Sequence, residues 1–316
     1  MVQHLTARAL SQVILFKLFG FAAAATVAHA ADLPTVIDTH IHLYDPTRPG
    51  GVPWPRQGDE LYRTYMPAEF AAVAIPAGIS AAVIVEASPL VEDNQWMLDL
   101  MKDEPSLVGL VGRLDLRSDS FTADLARFAA NPRFAGIRRN VAKADLADER
   151  IMANLRGLQR RNLALDVQLR RGMTLADACA LAAAVPDLRI VINHLAGRHI
   201  DGTAPDSVWV SEMQALGRHP NVYMKVSGLY QNTRTKPAPT EVAHYTSTLD
   251  VVWEAFGEDR LVYGSNWPVS TMYGEYAPNV DIARAYFATK GQAALKKVMG
   301  RNAVKAYNLK LGNQDQ

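Results

Sequence analysis

Three histidines stand near the ends of runs rich in β-branched residues. His40 and His42 lie in TVIDTHIHL (35–43), and His194 closes LRIVINH (188–194). Side chains alternate along a strand, so Asp38, His40 and His42 are expected on one face and Thr39, Ile41 and Leu43 on the other. Two imidazoles on one face make half of a site for zinc or a similar ion. With His194 as a third, the set could hold zinc and leave one position open, or hydrogen-bond a substrate carbonyl with no metal present. His199 follows in the loop LAGRHI as a candidate substrate contact. His219 and His244 fall away from this region, and His4 and His29 belong to the leader described below.

Eight short apolar or β-branched runs supply the elements that must position these groups: 35–43, 80–87, 107–114, 134–140, 163–169, 188–194, 221–227 and 260–266. Amphipathic segments separate them, with helix starts marked by Pro67, Glu92 and Asp93, Ser118 and Asp119, Thr174 and Ser207. Strand alternating with helix implies crossover connections and a parallel sheet. Eight such units in one chain predict an α/β fold of the closed (β/α)8 TIM-barrel kind. A doubly wound open sheet competes, but no glycine-rich phosphate fingerprint follows the first strand. The longest irregular stretches, 44–66, 196–206, 228–240 and 267–279, each follow a strand, on the face where barrels carry their chemistry.

Residues 1–30 read as a signal peptide. Arg8 and Lys17 precede an apolar run from Leu18 to Ala28, and Ala28-His29-Ala30 offers a cleavage site before Ala31. The run is shorter than the roughly 18 apolar residues that span a bilayer. Export to the periplasm or medium is therefore expected, with no membrane association after cleavage and with residues 31–316 as a single domain. The full chain has 33 Lys and Arg against 32 Asp and Glu; losing Arg8 and Lys17 leaves 31 against 32, a formal charge of −1. That balance gives no electrostatic case for nucleic acid, and a small-molecule substrate fits better. Nothing in the sequence selects an oligomeric state. The one cysteine, Cys179, lies in the apolar run DACALAAAV and is expected to be a buried structural thiol.

DTHIHLYDP, INHLAGRHIDG, NVYMKVSGLY, RLVYGSNWPV and GRNAVKAYNL, in that order, resemble the amidohydrolase-related (amidohydrolase 2) family of metal-dependent hydrolases, especially its branch of sugar lactonases and 2-pyrone-4,6-dicarboxylate lactonase. The resemblance covers essentially the whole chain after the leader. It implies an amidohydrolase-like barrel in which His40, His42 and His194 hold either one divalent metal ion, zinc first, or the substrate carbonyl without metal. It implies hydrolysis of a small cyclic ester, sugar-derived or from aromatic degradation, by water attack on the carbonyl. The family commonly has Gly-Ser-Asp-Trp-Pro after its eighth strand, its aspartate binding metal or accepting the water's proton. Here the segment is Gly264-Ser265-Asn266-Trp267-Pro268.

An amide cannot serve as a general base at ordinary pH. Glu86, ending the second strand, is the expected substitute, with ion pairing to an arginine as its alternative role. Asp38 is expected to orient a histidine from behind. Arg138, in the family-like Gly-Ile-Arg segment, and Lys225 are expected to bind substrate oxygens; Arg113 and Arg139 are further strand-end cations. Tyr44, Trp54 and Tyr230 could stack on a ring. Two other readings follow from the same features: an exported ligand-binding protein that lost turnover with its aspartate, and a decarboxylase, since related barrels perform carbon–carbon chemistry.

Overall fold

The computed structural model describes residues 36–169 and 172–311. The expected leader lies outside the described residues. Each of the eight runs contains a strand: β1 Ile37–Ile41, β2 Ala81–Val85, β3 Leu107–Gly112, β4 Phe134–Arg138, β5 Ala164–Val167, β6 Ile190–Ile192, β7 Val222–Val226 and β8 Leu261–Tyr263. They pair in parallel in sequence order. Beyond the end of β8, the Asn266 amide donates to the His40 carbonyl at 2.9 Å and the His42 amide to the Trp267 carbonyl at 2.8 Å. This seam brings the sheet round to a near-closed (β/α)8 barrel, and the segment that joins it carries Asn266.

Helices fill the crossovers, α1 Pro67–Ala74, α2 Asp93–Leu100, α3 Phe121–Ala129, α4 Glu149–Arg160, α5 Leu175–Ala184, α6 Ser207–Gly217, α7 Leu229–Thr233 and α8 Ala243–Phe256, and three more follow β8: α9 Tyr276–Thr289, α10 Gln292–Lys296 and α11 Asn302–Tyr307. Their starts follow local chemistry. The Thr174 hydroxyl accepts from the Asp177 amide at 3.1 Å while the Asp177 carboxylate accepts from the Thr174 amide at 2.8 Å, a reciprocal cap on α5. At α6 the capping residue is Asp206, one before the expected Ser207; its carboxylate accepts from the Trp209 amide. The short α7 occupies part of an expected loop, bracketed by Gly228 and Arg234, both at positive φ.

Alternation sorts the strands into two cores. Leu, Ile and Met side chains such as Ile84, Leu110, Leu165 and Met224 face the helices, whereas Ile37, Val83, Val85, Val111, Ala164, Val191 and Val262 line the interior. Ala303, Ala306, Tyr307 and Leu309, from α11 and the residues after it, join that inner core, and the Arg189 guanidinium just before β6 donates to the Ala306 carbonyl. α11 therefore plugs the barrel at the end opposite the catalytic loops. Cys179, expected to be buried, is partly exposed on α5; it is a free thiol whose pKa burial raises.

Register shifts interrupt alternation between β2 and β3, between β3 and β4, and, beside the histidines, in β1. Its register against β2 shifts between Asp38 and Ile41, so one extra residue is accommodated there. Ile37 stays in the inner core, while Ile41 and Leu43 join the outer one. Asp38, expected beside the histidines, instead receives the Tyr276 hydroxyl of α9 at 2.8 Å and the Ser265 amide at 2.8 Å. It also accepts from the His40 amide two residues on, a local bond that competes with the ladder and explains the bulge. Asp38 thus orients the backbone of His40 rather than an imidazole.

Candidate active site

The barrel mouth gathers the three histidines. The His40 ring lies 5.0 Å from that of His42 and 4.4 Å from that of His194. All three are nearly or fully buried. Close approach is enforced by glycines: a Cβ on Gly264 would sit 2.8 Å from the His40 Cβ, and one on Gly228, which is at φ +69°, would sit 2.9 Å from the His194 Cβ. His194, Leu195 and Ala196 all adopt left-handed φ, as does Asn266 at 61°. Such conformations cost roughly 1–2 kcal/mol each for non-glycine residues. They turn the chain sharply at the ends of β6 and β8 and aim these side chains at the mouth.

The ring nitrogens have distinct partners. His42 Nδ1 lies 2.8 Å from the Val85 carbonyl, which only accepts, so this nitrogen carries the proton. Burial first and the charge of Arg138 next hold its pKa down to about 3, so the ring is neutral and Nε2 bears a lone pair. That lone pair faces the Asn266 amide oxygen at 3.2 Å. His194 Nδ1 is 2.9 Å from the Ser227 hydroxyl. His40 Nε2 is buried and has no hydrogen-bond partner, and burial, with Lys225 next, holds the His40 pKa well below the ordinary imidazole value.

Lys225, expected to touch substrate, instead turns its ammonium to partners inside the barrel. It is fully buried, and Nζ spends its three donors on Asp166 at 2.8 Å, the Thr39 carbonyl at 3.0 Å and His40 Nδ1 at 3.3 Å. Glu86, expected as the proton acceptor, takes its alternative role: Oε1 accepts from Arg138 Nε at 2.9 Å and from Arg113 at 3.4 Å. Two guanidiniums on one carboxylate oxygen occupy it and make Glu86 an anchor for them. Arg138 also donates through Nη2 to the Glu86 carbonyl at 2.6 Å, leaving Nη1 for a ligand, and its charge acts on His40 and His42. Arg139 pairs with Asp115.

Of the aromatic residues, Trp54 is only partly buried and stands 5.8 Å from the His42 ring, where it walls the mouth. Tyr44 is buried in its own loop, packed on Trp54 and Tyr65 with its hydroxyl on the Leu61 carbonyl, so it offers no surface for substrate stacking. Tyr230 is likewise fully buried. His199 is exposed beside Asp201 and lies outside the cluster. Asp166 and Tyr307 were missed by sequence reasoning, although an isolated carboxylate at an inward position of an apolar strand asks for a buried cation, and the same count on β7 supplies Lys225.

The donors present do not suit the divalent ion expected at His40, His42 and His194. The ammonium of Lys225 faces one of the rings, Arg138 adds positive charge, the carboxylate of Glu86 is tied up, and residue 266 is an amide. Among the described residues no group of three His, Cys, Asp or Glu is placed to hold a metal.

Known proteins resemble this chain in sequence and in its barrel. An L-fucono-1,5-lactonase of Burkholderia ambifaria is 32% identical over 245 residues, covering 76% of this chain and 82% of the relative. An L-rhamnono-gamma-lactonase of Scheffersomyces stipitis is 30% identical over 143 residues, 40% of this chain and 42% of the relative. Among solved structures, an amidohydrolase from Burkholderia multivorans with bound HEPES superposes with a TM-score of 0.77 at 24% identity, covering 87% of this chain and all of that one. An amidohydrolase structure from the same species with bound zinc has a TM-score of 0.76 at 24% identity and the same coverage. The amidohydrolase family profile matches residues 37–309, from the first residue of β1 to just past α11, and this chain belongs to that family.

Proposed function

We propose that this protein hydrolyses a small lactone derived from a sugar acid, without a metal ion. The observation that carries the reading is the pairing, in one buried mouth, of the unpartnered His40 Nε2 with the two acceptors His42 Nε2 and Asn266 Oδ1. A lactone carbonyl oxygen lodges at His40 Nε2, and Arg138 Nη1 holds a second substrate oxygen. One water molecule gives one proton to the lone pair of His42 and the other to the amide oxygen of Asn266, which aims its own lone pair at the carbonyl carbon. As the water oxygen bonds to that carbon, His42 takes the proton and His40 stabilises the oxyanion. The ring C–O bond then breaks, His42 returns the proton to the departing ring oxygen, and a hydroxy acid is released. His42 replaces Glu86 as the proton acceptor; Glu86 holds Arg138 in place.

A sugar-acid lactone is favoured over a dicarboxylate because the strand-end guanidiniums of Arg113, Arg138 and Arg139 already face carboxylates. The fuconolactonase and rhamnonolactonase activities of the relatives support the same class. The test is a panel of aldonolactones followed by acid release. Ring opening of at least one, abolished by His42→Asn, is expected; ligand-induced thermal stabilisation with no product would instead favour the binding-only reading that Asn266 invites. Release of carbon dioxide from an aromatic acid would transfer the chain to the decarboxylases. The reading includes export, with Ala31 as the first residue of the mature protein, which terminal sequencing checks. Among the described residues no helix is long and apolar enough to cross a membrane.

A further inference from the structure

Lys225 is enclosed by the barrel on every side, and its surroundings dictate the proton on its neighbour. Behind it, the Tyr307 hydroxyl of the α11 plug donates to Asp166 Oδ1 at 2.9 Å, which fixes the carboxylate that receives Lys225 on Oδ2 at 2.8 Å. An ammonium has three N–H donors and no acceptor, while a carboxylate and a peptide carbonyl only accept. Asp166 and the Thr39 carbonyl take two donors, and the third faces His40 Nδ1. That nitrogen must therefore present its lone pair. A neutral imidazole has one N–H, which then lies on Nε2, the buried atom without a protein partner. His42 is held the opposite way round by the Val85 carbonyl. Two adjacent histidines thus carry opposite tautomers, one a donor and one an acceptor toward the mouth.

We infer that Lys225 is a positioning residue: through Nδ1 it fixes the proton of His40 on Nε2, so that the mouth offers a ligand oxygen an N–H and refuses a cation at that nitrogen. Its catalytic consequence rests on the reading of His40 as the donor to a lactone carbonyl, but its first test needs no substrate.

The test uses the full chain labelled with nitrogen-15 in its histidine rings, read by long-range proton–nitrogen correlation, with His40 and His42 assigned by single substitution. The expected result is the Nε2–H pattern at His40 and the Nδ1–H pattern at His42, both unmoved by added zinc. An Nδ1–H pattern at His40, or displacement of its signals by zinc, would overturn the inference. The double variant Lys225→Met, Asp166→Asn removes both buried charges together, so that no carboxylate is left unpaired. In it, the His40 pattern should average between tautomers, and kcat on an opened lactone should fall about 10²-fold with little change in KM, as expected for loss of an oxyanion donor. Unchanged patterns and kcat would also overturn it; if the double variant does not fold, the wild-type spectrum alone decides. Should no lactone be opened while His40 shows the Nε2–H pattern, the proposed activity fails and this assignment stands.

Discussion

Replacing His42 with asparagine isolates what it costs to keep an imidazole neutral in the barrel mouth. His42 is 4% exposed, and burial, with Arg138 next, moves its pKa from 6.5 to about 3. Between those values the unfolded chain binds a proton that the folded chain refuses. The stability His42 contributes is therefore fully present above 6.5 and is lost as the pH falls through this window. Each pH unit is worth about 1.4 kcal/mol, so going from about pH 7.5 to about pH 4.5 removes roughly 2.7 kcal/mol from wild type through this one ring. His40, also held neutral, acts in the same direction; Asp38, whose pKa burial raises, acts in the opposite one. Both remain in His42→Asn, where the new amide can still donate to the Val85 carbonyl, so the difference between the two proteins reports His42. Urea unfolding of both across this pH range is the assay. The wild-type curve should fall more steeply, by about 1 kcal/mol per unit below about pH 6. Parallel curves would mean that the folded mouth accepts a proton on His42, and the neutral acceptor assigned to it would be lost.

Two further substitutions probe the same mouth. Gly264→Ala places a methyl group 2.8 Å from the His40 Cβ and 3.2 Å from its backbone nitrogen; turnover of an opened lactone should drop about 10²-fold through misplacement of His40, whereas near-normal kcat would show that β1 yields easily. Asn266→Asp sets a carboxylate 3.2 Å from His42 Nε2, so the His42 pKa should rise from about 3 toward its ordinary value and the acid limb of the pH–rate profile should move up with it; an unmoved limb would separate His42 from proton transfer.

Much of the fold is legible because its signals are local. Each strand is a short run of apolar or β-branched residues, several helices carry their own start signals, and eight repeats limit the architecture to very few. The side of β1 on which Asp38 lies is not a local property. It depends on the Ser265 amide and Tyr276 hydroxyl, which the chain supplies more than 200 residues later, and on a bulge that the alternation rule does not anticipate. Lys225 went astray for a different reason: a cation at a strand end reads as a ligand contact unless its inward-facing carboxylate is found first. Asp166 sits within LALDVQL, and counting alternation on β5 and β7 together would have paired the two inside the barrel.

The amide at 266 shows why motif position and motif chemistry need separate arguments. The backbone here adopts left-handed φ and closes the barrel seam through its N–H on the His40 carbonyl. Asparagine and aspartate tolerate that conformation better than most non-glycine residues, so either one satisfies the fold. The exchange is felt only in the charge of the mouth. An aspartate beside His42 would offset the positive field of Arg138 and favour an imidazolium; the amide leaves that field in place and keeps His42 a neutral acceptor. The seam thus preserves its geometry under either residue, and the choice between them sets how basic the neighbouring ring can be.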